Sequence, residues 1–486
     1  MFKHIIRYDW LMLRANRTLA VSVSLLVLFT AFALWNGAQH VQFQRRTLAA
    51  IQDSAQKAYT TLQSSVRSIE AGTPYKGNAF QNPQDPYPIG ANKGARFATL
   101  APEPLALIAF GQSDLLPYYY RVTMTKKQSL YHAEEIENAA ILYNGNFDVA
   151  FVIIYLLPLL IIALSYNVVS CEREQGTLAM LLSSNARFDS LVLTKYLFRF
   201  VLVGAVFSVV LLVGLLLARV NLAEAAPQLG LPQLGLLLLT TLLYAAFWFA
   251  LSFAVNSFGR NSGFNAAVLV GVWLLLVLII PATLSVLATT LHPTPSRVEL
   301  ITQTREASDA AKKRSSQLLS KFLEDHPELA PKDKQVDAKD FAVISLTAQM
   351  EVDKILKPLQ DRFDTQLEAQ QSLVRSYRVL SPAVFMQHTL NDIAGTGHDR
   401  YATFYAQVVR FYAEFQQFFV KKIFRQEEMS SADFERIPAF HYQKTDAPLL
   451  AWSNILNLAL LLALTAVFVV VGFRRVGRIA HELAFG

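Results

Sequence analysis

Six long apolar runs constrain the fold of this chain more than any other feature of its sequence. They lie at about 19–35, 149–169, 200–217, 234–255, 264–287 and 450–473. A bilayer core about 30 Å thick requires roughly 20 apolar residues in a helix, so each run is long enough or nearly long enough to cross it. Only 17% of the 486 residues are charged, against about 25% in soluble proteins. We therefore predict an α-helical membrane protein with six transmembrane helices.

The centres of these runs contain no Lys, Arg, Asp or Glu. A central charge would indicate an ion pathway or a proton relay, so its absence argues against a channel or a proton-driven pump. Pro158 and Pro281 lie inside the second and fifth runs. One interpretation is a local kink that neighbouring helices tolerate, and the other is a hinge.

Basic residues in the short loops predict the orientation of the spans, because cytoplasmic loops carry an excess of Lys and Arg. They cluster in four segments that fall on one side of a six-span chain: Lys3, Arg7, Arg14 and Arg17; Arg173, Arg187, Lys195 and Arg199; Arg260; Arg474, Arg475 and Arg478. We expect both termini to be cytoplasmic and 36–148 and 288–448 to be extracytoplasmic. Three segments remain. Residues 1–35 are then an interfacial helix with span 1, 149–287 are spans 2–5 with a cytoplasmic loop at 171–196, and 449–486 are span 6 with a basic tail.

The start of the chain allows a second interpretation. "LLVLFTAFALW" follows a basic segment and is similar to a signal peptide, with a candidate cleavage site at Ala-Phe-Ala, residues 31–33. Cleavage would leave five spans. The preceding "FKHIIRYDWLMLR" predicts an amphipathic helix in the membrane interface, where Arg7 and Arg14 meet lipid phosphates.

The two long regions between spans differ in character. Residues 40–70 predict a helix, 71–104 are dense in Pro, Gly and Asn and predict irregular structure, and "YYYRVTMTK" predicts a short strand. The second region predicts mainly helices, at 302–325, 336–377 and 401–424. In the last of these, one broad apolar face is formed by Tyr401, Phe404, Val408, Phe411, Phe415 and Phe419. This face indicates helix packing or a surface for a lipophilic or peptide ligand.

Motifs of catalysis and cofactor binding are missing from the sequence. It contains no G-x-x-x-x-G-K-[ST] phosphate loop, no G-x-S-x-G, no H-E-x-x-H and no C-x-x-C. Its histidines lack metal-ligand spacing, its single cysteine excludes an internal disulfide, and no Lys and Arg stripe with interleaved aromatics indicates nucleic-acid binding. We expect no enzyme activity, cofactor or metal site in this chain.

A polar segment, "CEREQGTLAM" at 171–180, directly follows the second apolar run. Its charged residues extend span 2 out of the lipid, Gly176 can end the helix, and Thr177 can cap a new one. "TLAMLLSS" then predicts a short amphipathic helix before Lys195 at the entrance to span 3. Such a helix between two spans is either a lever that a soluble motor grips or an ordinary connecting loop.

This loop resembles the signature of ABC-2-type transporter permeases, an "ERE-x-GTL-x-x-LL" stretch followed by a Lys that opens span 3. The matching residues are Glu172, Arg173, Glu174, Gly176, Thr177, Leu178, Leu181, Leu182 and Lys195. Many members have a Pro near the position of Asn185, so the turn there can differ. The resemblance implies a coupling helix that docks in a cleft of a separate ATPase subunit. It also implies two ATPase copies that bind ATP and Mg, and a second permease copy or a sister permease.

The long regions resemble those of a bacterial subset of these permeases with two large extracytoplasmic insertions, largely of unknown function. The stretches that carry this are 82–123 and 380–404. The implied function is a permease subunit that couples ATP hydrolysis to substrate movement, expected to be export, across the inner membrane. Two alternatives stay open. The chain could be an ATP-driven mechanical transmitter that acts on a periplasmic or outer-membrane partner, or a scaffold or sensor with no ATPase.

Overall fold

The computed structural model describes residues 2–15, 17–78, 81–111, 116–125, 127, 147–177, 188–218, 231–325, 341–444 and 452–485. The fold is mostly helical, as predicted. In chain order, the elements are α1 (Phe2–Ala15), α2 (Arg17–Glu70), α3 (Pro86–Pro88), β1 (Arg96–Thr99), β2 (Tyr119–Val122), α4 (Val149–Glu174), α5 (Phe188–Leu217), α6 (Leu231–Asn256), α7 (Ser262–Leu291), α8 (Arg297–Lys313), α9 (Ser315–Asp325), α10 (Phe341–Tyr377), α11 (Pro382–Ala394), α12 (His398–Phe424), α13 (Ser431–Arg436) and α14 (Trp452–Phe485).

Within the described residues, six helices are long and apolar enough to cross a membrane, namely α2, α4, α5, α6, α7 and α14. They coincide with the six apolar runs of the sequence, so the prediction of six helices long and apolar enough to span a membrane is confirmed. In α2 the helix continues far beyond the apolar run and includes the helix predicted at 40–70. It also passes through residues 31–33 without a break.

Pro158 and Pro281 each follow a π-helical turn, at Val152–Leu156 in α4 and at Leu274–Ile279 in α7. A proline has no N–H and its ring crowds the preceding turn, and widening that turn relieves the crowding. Side-chain hydroxyls also donate to backbone carbonyls at these turns. Tyr244 Oη donates to the carbonyl of Ile154, four residues before Pro158, at 3.1 Å.

The spans share one apolar core, which also contains the buried residues 105–109 and the apolar residues of α11. A second core surrounds α12, whose predicted apolar face is buried at Phe404, Val408, Phe415 and Phe419. Residues of α2, α9, α10, α13 and both strands complete it. The face at 401–424 therefore serves helix packing, the first of the two interpretations of the sequence.

Two local predictions differ from the structure. The strand β1 lies in the stretch predicted to be irregular, because its antiparallel pairing with β2, from Arg96↔Val122 to Thr99↔Tyr119, stabilises it. The single helix predicted at 302–325 is two helices, α8 and α9, that meet at Arg314. Both pack against α10, which decides where the chain bends.

Candidate functional site

The helix α4 ends in the polar segment through a pair of backbone hydrogen bonds that close its last turn. Gly176 has a φ of 73°, a left-handed conformation that glycine adopts without steric cost. Its N–H donates to the carbonyl of Arg173 at 3.1 Å, and the N–H of Thr177 donates to that of Glu172 at 3.0 Å. This pair is the Schellman arrangement that satisfies carbonyls at a helix end. Gly176 thus ends the helix, as the sequence predicts.

Glu172 lies inside the protein, at the end of the helix that Gly176 terminates. Its Oε1 accepts a hydrogen bond from Lys195 Nζ at 2.6 Å, and its Oε2 accepts one from Thr177 Oγ1 at 2.5 Å. The Lys195 and Glu172 side chains are only 6% and 8% exposed. Since Lys195 belongs to α5, this ion pair joins the two ends of the 171–196 loop.

The neighbouring residues Arg173 and Glu174 are exposed and fasten α4 to the start of α7. Both carboxylate oxygens of Glu174 accept hydrogen bonds from Ser262, one from its N–H at 2.7 Å and one from its Oγ at 2.8 Å. Arg173 donates to the carbonyl of Gly259. A carboxylate at the first turn of a helix is favoured by the unpaired N–H groups there. This end of α4 is therefore tied to both α5 and α7.

A second buried ion pair lies one turn further along α5. Arg199 Nε and Nη2 donate to the two oxygens of Asp9 at 3.1 and 2.8 Å, and Arg199 also donates to the carbonyl of Leu164. Asp9 is 2% exposed. Because Lys195 and Arg199 are four residues apart on one helix face, they connect α5 with α1 and α4. The two pairs balance two positive charges against two negative ones.

Side chains from three helices satisfy the irregular turn at 166–169 of α4. Tyr196 Oη and Asn256 Nδ2 both donate to the carbonyl of Ser165, at 3.2 and 3.1 Å. Asn265 Nδ2 donates to Asn256 Oδ1 at 3.2 Å. A free backbone carbonyl in an apolar interior costs several kcal/mol, so this network permits the turn. We use the name polar cluster for this network, the two ion pairs and the Glu174–Ser262 contact.

The structure therefore brings together Glu172, Thr177 and Lys195, and it places Arg173 and Glu174 beside α7. The predicted site residues Leu178, Leu181 and Leu182 lie outside the described residues, as does the predicted short helix that contains them. Glu172 and Lys195 face inward and pair with each other, so they hold the end of α4 against α5.

Sequence reasoning missed Asp9, Ser262 and the role of Arg199, which it counted only as a topological charge. A signal for Asp9 was present, since it is the single acid in an otherwise basic amphipathic helix, α1. Nothing in the sequence around Ser262 and Arg199 indicated their partners. Within the part of the chain that the structure describes, no group of three or more His, Cys, Asp or Glu is arranged to hold a metal ion.

Comparison with known protein families identifies a match in the second half of the chain. Residues 297–443 match the family model of a domain of unknown function, DUF3526. No curated protein matches the chain, and no solved structure matches it. The matched stretch runs from the start of α8 to beyond α13, so it covers much of the second core and the whole of α11. It does not include the polar cluster.

Proposed function

We propose that this chain is the non-catalytic, membrane-spanning subunit of an ABC-2-type ATP-driven transporter in the bacterial inner membrane. Both termini are cytoplasmic in this proposal, and 36–148 and 288–448 are periplasmic. A separate ATPase, present in two copies, binds ATP and Mg and docks on the loop at 171–196. A second copy of the chain or a sister permease completes the membrane part, and the expected direction of transport is export.

The observation that carries this proposal is the anchoring of the 171–196 loop. Its first residues are tied to α5 through Glu172 and Lys195 and to α7 through Glu174 and Ser262. A force applied to the loop is thereby shared among three membrane-spanning helices. An ordinary connector needs no buried ion pair, which is expensive to desolvate, between its two ends. A lever, in contrast, needs a rigid base, and the buried ion pair supplies one.

The experiment is a pull-down of the tagged full-length chain from its native host in mild detergent, with partners identified by mass spectrometry. The first variant is Leu181→Glu, which changes the predicted short helix and leaves every residue of the polar cluster unaltered. The second is Glu174→Lys, which also breaks the contact with Ser262. We expect a stoichiometric ATPase with the wild type and its depletion in both variants.

The matched control is Asp53→Lys, the same charge reversal at an exposed position on α2, where the side chain is 61% exposed. It should retain the ATPase. A wild-type sample that retains other membrane complexes but contains no ATPase would refute the proposal and favour the scaffold or sensor. An ATPase that stays bound in the Leu181→Glu variant would refute the docking site alone.

A mechanical transmitter is the second candidate function. The long outer regions and the absence of charge at the centres of the six runs are compatible with a machine that moves an outer structure while nothing crosses the bilayer. Reconstitution with the ATPase in liposomes separates the two. Uptake or release of a labelled candidate substrate on ATP addition supports the transporter, and ATP turnover without it supports the transmitter.

A further inference from the structure

The helix α11 belongs to the stretch matched by the domain of unknown function, yet it packs among the membrane-spanning helices. Its buried residues Phe385, Met386 and Leu390 are part of the core that the spans share. It contacts α6, α14 and both π-helical turns, the one before Pro158 and the one before Pro281. At 13 residues it is too short to cross a bilayer, and its contacts reach the first turns of α4 and α14 and the middle of α7.

Ser381, the residue directly before α11, binds a backbone carbonyl at the proline bend of α7. In the π-helical turn, the N–H of Ile280 donates to the carbonyl of Leu275. The next bond of that pattern would run from Pro281, which has no N–H, to the carbonyl of Leu276. Ser381 Oγ donates to this carbonyl at 2.5 Å, and the same Oγ caps α11 by accepting from the N–H of Val384 at 3.3 Å. One hydroxyl thus joins the bend to α11.

The other end of α11 is joined to α14. Asn454, which is 2% exposed at the start of that span, donates from Nδ2 to Asp392 Oδ2 at 2.8 Å. His388 Nδ1 lies 3.1 Å from the same Asp392 oxygen. The two ends of α11 therefore hold two different spans, α7 through Ser381 and α14 through Asp392.

A buried segment at 105–110 lies beside α11 and contacts two further spans. The carbonyl of Ile108 accepts from the N–H of Ala150 in α4 at 3.0 Å. The carbonyl of Leu107 lies so close to Gly37 of α2 that a Cβ there would be 2.0 Å from it. Thr396 Oγ1, just after α11, donates to the carbonyl of Ala109 at 2.9 Å. We use the name end layer for α11 together with 105–110.

The end layer is connected to the second core by a short and anchored link. Only residues 395–397 separate α11 from α12, the central helix of that core. Arg400 of α12 donates to the carbonyls of Gly395 and Ala101, at 2.9 and 2.8 Å. At the other end of α11, four residues, 378–381, join it to α10. A link this short and this hydrogen-bonded transmits displacement instead of absorbing it.

We propose that the end layer is a mechanical transmission, which converts a rearrangement of the proline-bent spans into movement of the second core. The outer helices around α12 are then a moving output of the protein and not a passive covering. The source of the rearrangement, ATP-driven motion at the 171–196 loop, rests on the proposed function. The transmission itself rests on the contacts of Ser381, Asp392 and Thr396.

The test is hydrogen–deuterium exchange of the full-length chain in lipid nanodiscs, with no ATPase present. Asn454→Leu removes the contact between α14 and α11. We expect amide exchange to increase about tenfold in α11, in 105–110 and in the first turns of α12, since a lost hydrogen bond lowers the local opening energy of the unit it stabilises. The control is Thr465→Val on the same span, because Thr465 Oγ1 donates only within its helix, to Leu461. It should leave all three segments unchanged.

Ser381→Ala is the second variant and decides the outcome if Asn454→Leu does not fold. It removes the contact with α7 at the opposite end of α11, and the same three segments should exchange faster. Faster exchange confined to α11 and the mutated span, or no change at all, would overturn the proposal. Because this experiment contains no ATPase, its outcome does not depend on the pull-down that tests the proposed function. A failure of one proposal is therefore distinguishable from a failure of the other.

Discussion

Lys195 and Glu172 are 23 residues apart in the chain, and their side chains form a buried ion pair with Nζ and Oε1 2.6 Å apart. The pair closes the 171–196 loop at its base. The adjacent pair between Arg199 and Asp9 attaches α1 to the same face of α5. Two interior ion pairs therefore hold the helices from which the candidate docking loop emerges.

Lys195→Met should destabilise the protein strongly. Removal of one partner leaves the Glu172 carboxylate buried without a counter-charge, which costs about 3–5 kcal/mol. Glu172→Gln combined with Lys195→Met should recover much of this loss. The measurement is the free energy of unfolding in mixed micelles, as a double-mutant cycle. Lys57→Met is the control, because Lys57 pairs with Asp53 at an exposed position and should cost under about 1 kcal/mol. Equal effects at the two lysines would contradict the prediction.

Tyr244→Phe should destabilise the bend in α4 by about 1–3 kcal/mol, because the carbonyl of Ile154 loses the hydrogen bond that Tyr244 donates in the core. Pro158→Leu supplies an N–H that donates to the carbonyl of Ile154 when the turn closes as a regular α-helix. In that background the loss of the Tyr244 hydroxyl should cost less. Thermal unfolding of the four proteins measures the coupling. Additive effects would show that the hydroxyl does not serve the proline bend.

Gly37→Ala should be among the most harmful single-methyl changes in α2. The added Cβ would lie 2.0 Å from the carbonyl oxygen of Leu107, so α2 and the 105–110 segment must separate. Overpacking of this kind costs about 1–3 kcal/mol. Gly271→Ala in α7 is the control, since among the described residues no atom beyond the adjacent backbone of its own helix lies within 4 Å of the added group. A thermal scan in detergent should show a clear loss for the first variant and little change for the second.

Acid should destabilise the region around α13, because Asp433 becomes protonated there. Burial alone would raise the pKa of this carboxyl, but hydrogen bonds from Ser430 and Lys422 outweigh it and hold the pKa below the usual 3.8. A lowered pKa means that the folded state favours the charged form. The stabilisation is therefore complete above about pH 4 and is lost as the pH falls further. Deuterium exchange of residues 431–436 against pH measures it, and Asp433→Asn should flatten the dependence.

Local sequence signals predicted several features of this structure. The apolar runs predicted the six long helices, Gly176 predicted the end of α4, and the spacing from Tyr401 to Phe419 predicted the buried face of α12. Each of these depends on residues close together in the chain, so periodicity and backbone preference are sufficient to predict them.

The sequence alone determined a helical protein with six apolar helices and a polar segment after the second. Only the tertiary structure decided that Glu172 faces inward to Lys195, that Arg199 pairs with Asp9 190 residues away, and that Ser381 completes the bend at Pro281. It also decided that α11 lies among the spans, with Asp392 bound to Asn454 at the start of α14. The physical reason is that a buried charge, an orphaned carbonyl or a short polar helix must find partners, and those partners lie in distant parts of the chain that only folding brings into contact.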